Sequence, residues 1–303
     1  DGNDYDRDVV IINTLKIDKI FLINNAKQVI AFAGSTLFKL EDILDNVDKT
    51  PHSIIGSSCI GASIVGGVCN NSGGNLLQRG PAYTELALFA QITDNGDLLL
   101  INNLGINLGK NPVEILRNLE EQRFDLDNVP STKLKASDVE YKVRVRDVSS
   151  STPARFNSDK RRLYEASGCA GKLVVFAVRL DTFEKEKQKK LYFLGTNDPN
   201  AFTTIRKKIL SSCNNLPEMC EYMHKSFFDG ADKYCKDTFI LLKILGSSFL
   251  PKLFSIKRRT DNYLSKVFFL ENISSDSILH FIGKLTPDHL PKRVRAFRKE
   301  YEH

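Results

Sequence analysis

The sequence predicts an α+β fold in about two domains. Short apolar runs at residues 9–13, 19–23 and 28–32 read as strands, close together near the start. Between and after them, apolar residues recur at helical spacing, with capping residues in front. The pattern changes after Leu180, where a long apolar run ends. The 303 residues suit about two domains.

The elements follow in order. After the three strands, Gly34-Ser35 opens a helix in which Leu37, Leu40, Ile43 and Leu44 share one face, with Ser35 or Thr36 as its cap. Residues 84–92 and 97–102 form a hairpin around Asn95-Gly96, a strong short-range turn signal. Asn111-Pro112 starts a helix that runs to about Leu119. Residues 123–142 are polar and read as an excursion, and residues 155–166 read as a helix. The turn Ser167-Gly-Cys-Ala-Gly then feeds residues 173–178, a continuous apolar run expected as a buried strand. Residues 191–196 are expected as a strand and 198–210 as a helix with Pro199 in its first turn. That strand–helix unit opens the second domain. From His224 onward aromatic and basic residues intermingle.

The segment from Gly56 to Gly74 carries the strongest chemical signal. Of its nineteen residues six are glycine and four are serine. Such a run fills a core poorly but lets backbone N–H groups come close to another molecule. Successive exposed N–H groups make anion-binding concavities, with phosphate the usual anion. The apolar residues Ile60, Ile64, Val65 and Val68 distinguish it from a flexible linker and predict a short packed turn of helix inside the loop. A pyrophosphate-bearing cofactor is the ligand expected. The G-x-G-x-x-G frame and the acidic residue about 20 positions on are both missing, so a Rossmann-type unit is excluded.

Pro51-His-Ser-Ile-Ile-Gly-Ser-Ser before this loop, Gln78-Arg-Gly-Pro-Ala-Tyr-Thr-Glu after it, and the turn from Ser167 resemble the FAD-binding domain of the vanillyl-alcohol-oxidase/PCMH superfamily. Arg144-Val-Arg-Asp-Val, Thr152-Pro-Ala-Arg-Phe-Asn, Leu180-Asp-Thr-Phe-Glu and Lys236-Asp-Thr-Phe are similar, within it, to the quinone-dependent respiratory D-lactate dehydrogenase family. The resemblance implies an α+β chain: the second part of a PCMH-type FAD-binding domain over 1–181, the start of an α/β cap domain over 182–223, and a basic membrane-binding region over 224–303. It implies FAD as cofactor, held at Gly56, Ser63, Gly73 and the backbone of Val175. It implies D-lactate and a membrane quinone as reaction partners, at the cytoplasmic face of the bacterial inner membrane. In the family an earlier Gly/Thr-rich phosphate loop precedes the segment that opens this chain, and substrate-side residues follow its end. The chain, which does not open on Met, is expected to be an internal fragment, inactive alone.

The residues themselves leave several roles open. Gly168 and Gly171 are expected to shape a turn, and Arg79 to pair with phosphate or with a structural partner. Oxidising a 2-hydroxy acid calls for a cation for the carboxylate and a base near the hydroxyl. His224, in Tyr222-Met-His224, is a candidate base or a structural histidine; His52, His280 and His289 lie by turn-like segments without evident partners. No catalytic residue is assigned. The six cysteines are irregularly spaced without C-x-x-C, against a zinc site, and a reducing compartment is expected.

Charge is uneven. Residues 243–303 hold twelve Lys/Arg and six Asp/Glu, so the whole net charge of +6 lies there. An anionic phospholipid surface is the partner expected. Each Lys or Arg near such a surface contributes about 1 kcal/mol. Lys257, Arg258, Arg259 and the segment Lys292-Arg-Val-Arg-Ala-Phe-Arg-Lys, with Val294, Phe297 and Tyr301 on one helix face, carry this reading. A solvated basic face and nucleic acid are the rivals; no nucleic-acid motif is present. No apolar run approaches the roughly 20 residues of a membrane-spanning helix. The alternatives to D-lactate oxidation are FAD-dependent oxidation of another 2-hydroxy acid such as glycolate, and a basic binding module without flavin.

Overall fold

The computed structural model describes residues 8, 10–53, 61–73, 76–151, 159, 162–169, 171–264, 275–285 and 290–303. Contacts divide the chain into two units. One comprises Asp1–Ser58, Ala62–Val145 and Ser150–Glu186; the other comprises Cys59–Gly61, Arg146–Ser149 and Lys187–His303.

The first unit is mixed α/β. Its strands are β1 (Ile20–Ile23), β2 (Gln28–Phe32), β3 (Lys49–Thr50), β4 (Ala87–Ile92), β5 (Leu98–Asn102), β6 (Val174–Asp181) and β7 (Phe183–Glu184). Five of them make one sheet in the order β1-β2-β6-β4-β5. Every neighbouring pair is antiparallel. β3 and β7 pair separately. The late strand β6 therefore joins two early hairpins.

Alternation along these strands builds two apolar layers, because successive side chains point to opposite faces. Val29 and Ala31 join Leu37, Leu40 and Leu44 of α1 (Leu37–Asp45) and Ile64 and Val68 of α2 (Ile64–Cys69). Ile30 and Phe32 face the other way, against Ile115 and Leu119 of α3 (Pro112–Glu120). β6 breaks the alternation: Val175 and Val178 lie in the first layer, Phe176 and Ala177 in the second. A bulge explains it, since β4 pairs Leu88 with Ala177 and the next residue, Phe89, with Val175. Phe176 is the extra residue that re-phases the strand.

Local chemistry fixes the helix ends. The Thr36 hydroxyl accepts the Lys39 N–H and caps α1. Asn111 caps α3, its Oδ1 accepting the Glu114 N–H at 3.0 Å, with Pro112 following. At α2, Ser63 Oγ accepts the Gly66 N–H at 3.1 Å. Such caps contribute about 1 kcal/mol each.

Two buried polar networks complete this unit. Arg179, on β6, is 2% exposed. Its guanidinium donates to Gln28 Oε1 and to the carbonyls of Leu104 and Pro130, tying the polar excursion to the sheet. Asp138, also 2% exposed, precedes the short helix α4 (Tyr141–Arg144) and accepts from both Arg144 and Arg162. Arg162 also lies over the Tyr83 ring at 5.3 Å.

The second unit is helical among its described residues: α5 (Pro199–Ser212), α6 (Lys225–Tyr234), α7 (Lys236–Leu245), α8 (Leu250–Leu264), α9 (Ser275–Leu285) and α10 (Lys292–Glu300). Asp261 on α8 accepts the Ser275 N–H and O–H, at 2.6 and 2.8 Å, and so anchors the start of α9. Leu210 and Leu216 are the only buried apolar residues beyond Leu180 among those described. No helix of the described residues is long and apolar enough to cross a membrane.

Three expected elements differ. Residues 10–13 form no strand and are exposed, Val10 to 91%. Of the helix expected over 155–166, the described residues 162–166 form turns and a bridge from Tyr164 to Ser167. Residues 191–196 form no strand, and Leu191 is 80% exposed. Only Thr196 pairs, with His303, through two backbone hydrogen bonds. The α5 helix of the expected strand–helix unit is present; its strand is not, because an apolar run needs a partner edge and none lies beside residues 191–195 among those described.

Candidate functional site

The glycine segment enters the first unit through Pro51-His52-Ser53 and leaves it through Asn71-Ser72-Gly73. Gly56 lies outside the described residues, as do 54–60 and 74–75. Ser63 is half-buried. Its oxygen is used as an acceptor in capping α2, which leaves the hydroxyl hydrogen to donate elsewhere.

Gly73 has φ +98° and forms a bridge with Pro81. A Cβ built there would meet Ser53 at 3.5 Å, an ordinary contact. Backbone conformation rather than space therefore demands glycine here. Gly168 is the reverse case in part: besides φ +71°, a Cβ would lie 2.5 Å from Leu163 Cδ2. Its N–H donates to Val68 O at 3.0 Å and docks the turn on α2. Gly171, with φ +82°, has open space. Both glycines sit in the turn as expected.

Val175 is buried and packs in the layer shared with α2. The ladder between β2 and β6 ends at Phe32–Ala177. Val175 therefore pairs with β4 alone, and the backbone edge away from β4 has no strand beside it among the described residues.

Arg79 resolves into a structural linker as far as its partners are described. Its Nη1 donates to Pro51 O at 2.7 Å, and its guanidinium lies 4.4 Å from the Phe183 ring centroid. His52 is 5% exposed, and its Nδ1 makes no hydrogen bond among the described residues. Burial, helped by the Arg79 charge, lowers its pKa to about 4 and keeps it neutral. A buried polar atom without a partner at the mouth of the glycine segment marks a place where a ligand atom can complete the bonding. Cys69 and Cys169 lie together beside α2; burial first, then the neighbouring thiol, pushes the Cys69 thiol up to about 12. Packing against the core cluster is its role.

In the second unit His224 caps α6 by accepting the Ser226 N–H at 3.1 Å. His303 lies beside it, ring centroids 5.0 Å apart. The His280 side chain and all of His289 lie outside the described residues.

The basic region is less uniform than its sequence. On α10, Arg298 pairs with Asp229 and Arg295 with Asp232, both acids of α6. The face of Phe297 and Tyr301, rings 4.9 Å apart, packs on Gly195. A Cβ at Gly195 would lie 2.4 Å from the Tyr301 ring. Phe297 and Tyr301 are half-buried, so part of that face packs on the chain itself. Exposed on α10 are Lys292, Arg293 and Lys299. On α8, Lys252, Arg258 and Arg259 are exposed, next to Ile256 at 48% and Tyr263 at 69% exposure. Ile244 on α7 and Phe281 and Ile282 on α9 are exposed as well. Sequence spacing identified the cations but could not separate those that α6 neutralises.

Residues 191–303 match the family described as D-lactate dehydrogenase, membrane binding. Across 302 residues, all of this chain, it is 52% identical to the quinone-dependent D-lactate dehydrogenase of Escherichia coli (strain K12), covering 53% of that protein. It is 52% identical over 303 residues to the protein of the same name from Haemophilus influenzae, covering 54% of it. It is 40% identical over 300 residues to that of Corynebacterium glutamicum, covering 52% of it. The chain spans about half the length of the curated relatives it matches. It is a relative, along its whole length, of the quinone-dependent D-lactate dehydrogenases, and its residues 191–303 match a D-lactate dehydrogenase membrane-binding domain.

Proposed function

We propose that this chain is part of a peripheral membrane flavoenzyme that oxidises D-lactate to pyruvate and passes the electrons to a membrane quinone. The observation that carries it is the coincidence of two facts. All of the chain is about half identical to proteins with that name, and the part matching the membrane-binding family leaves Ile244, Ile256, Tyr263 and Phe281 exposed, along with the cations Lys252, Arg258 and Arg259. Exposed apolar and basic side chains on short helices suit adsorption to an anionic bilayer surface, with apolar burial and electrostatic attraction adding. In this reading residues 1–181 belong to a PCMH-type FAD domain, 182–223 to the start of the cap, and 224–303 to the membrane region. The family match takes in the last segment and most of the one before it. The enzyme works at the cytoplasmic face of a bacterial inner membrane. A flavin-free basic module has less support, because the similarity extends through the first unit, which has no basic excess.

The residues of the first unit fit FAD. Gly73 holds a left-handed turn with room beside it, Ser63 retains a hydroxyl hydrogen for a phosphate oxygen, and β2 no longer pairs with β6 beside Val175. Gly56 is the fourth residue of this reading. Bound FAD supplies the two-electron acceptor for the hydride of lactate. The chain's own residues bind its phosphates and fix its position. Gly73→Val tests this. A β-branched residue at φ +98° is strained, and flavin retention in the purified full-length protein should fall at least about tenfold. Stoichiometric flavin absorbance in that variant would remove Gly73 from the site.

A further inference from the structure

We propose that residues 191–195 are one half of a β-strand pair, and that the other half is the stretch of the parent polypeptide that runs on from His303. The curated relatives, of which this chain covers about half, are long enough to supply such a stretch. The proposal goes beyond the flavin chemistry above and does not depend on it.

The first residue pair is already in place. Thr196 and His303 exchange both backbone hydrogen bonds, at 2.9 and 3.1 Å. Two residues that exchange both bonds are a hydrogen-bonded antiparallel pair. The chain arrives there extended: Tyr301, at the end of α10, has φ −120° and ψ 146°. Glu302 is held too, its carbonyl accepting the Lys225 N–H at 2.8 Å and its N–H donating to Asn197 Oδ1 at 3.0 Å. In antiparallel pairing each step forward from His303 meets one step back from Thr196. The second residue after His303 therefore faces Leu194, and the fourth faces Tyr192. Alternate residues of a strand turn their N–H and C=O groups to the same side. Leu194 and Tyr192 thus present theirs on the side of His303.

The side chains of the run call for a cover. Leu191, Tyr192, Phe193 and Leu194 are all exposed, from 80% at Leu191 to 57% at Leu194, next to the pair. Four consecutive large apolar side chains suit a strand buried on both faces. Left bare, such an edge invites other chains to pair with it. A bilayer is a poor occupant, because hydrocarbon leaves the backbone groups of an open edge without partners. A second copy would compete against a segment tethered at His303, which has the advantage of high effective concentration.

Residue-resolved amide hydrogen exchange in the full-length parent protein is the first test. The Tyr192 and Leu194 N–H groups should exchange at least about a hundredfold more slowly than free amides. Cysteine cross-linking then fixes the register. Phe193→Cys should form a disulfide with a cysteine placed at the third position after His303. It should not do so with one at the fourth position, whose side chain points to the other face. Fast exchange at Tyr192 and Leu194, or cross-linking at the fourth position instead of the third, would overturn the pairing. Cross-links between two molecules, with protection that rises with protein concentration, would assign the edge to a second copy and overturn it as well. The enzyme reading fails separately. Slow exchange and the expected cross-link without D-lactate oxidation would keep the strand pair and remove the enzyme. Oxidation with fast exchange at both amides would do the reverse.

Discussion

The two units of this chain treat apolar side chains in opposite ways. In the first, strand alternation and capped helices bury Leu40, Leu88 and Leu104 completely. In the second, helices of comparable apolar content leave Ile244, Tyr263 and Phe281 more than 60% exposed. Charge is handled in opposite ways too. Asp138 is enclosed by two arginines, whereas Arg258 and Arg259 face solvent. The difference teaches that hydrophobic content alone does not specify a core. A set of helices carrying both apolar and basic residues can keep its largest side chains for a surface that is not protein.

The largest effect expected from breaking this contrast is at Asp138. Asp138→Ala leaves Arg144 and Arg162 without their shared carboxylate. It should destabilise the first unit by about 3–5 kcal/mol in denaturant unfolding; a loss under about 1 kcal/mol would mean water replaces the carboxylate. Next comes a matched pair. Leu88→Ala removes a fully buried side chain and should cost about 2–5 kcal/mol. Phe281→Ala, at an exposed position, should stay within about 0.5 kcal/mol. Similar losses at both sites would dissolve the distinction between the units.

A smaller, pH-dependent effect comes from His52. Its pKa is lowered to about 4 in the fold, while the unfolded chain takes up the proton near the ordinary value of about 6.5. The stability it contributes is therefore complete above pH 6.5. It is lost as pH falls toward 4 and is flat below, at most about 3 kcal/mol in all. His52→Gln should flatten that segment of the stability–pH curve, and an unchanged slope would place the titration elsewhere.

Much of the first unit was legible because local signals and burial agreed there. β2 covers the expected run, Thr36 caps α1, and the Asn95-Gly96 hairpin and the helix from Pro112 form as read. Residues 10–13 and 191–196 were misread for one physical reason. An apolar run looks the same whether a partner strand or nothing covers it, and pattern does not reveal the partner. The bulge at Phe176 was likewise invisible, since it arises from pairing between distant strands. The turns at Gly73, Gly168 and Gly171 were legible from composition. Arg179, Asp138 and the meeting of His224 with His303 were not, because their partners are far away in sequence. The pairing of Arg295 and Arg298 with α6 corrected the charge count for the same reason.

The central claim is that the second unit keeps its apolar and basic side chains for an anionic membrane surface. Co-sedimentation of the protein with vesicles of anionic and of neutral phospholipid tests it most directly. The predicted result is binding to anionic vesicles that weakens as salt rises. It should fall when Lys252, Arg258 and Arg259 become Gln and when Phe281 becomes Ala, with the unfolding midpoint unchanged. Equal binding to neutral and anionic vesicles at low salt, or no loss in those variants, would contradict it.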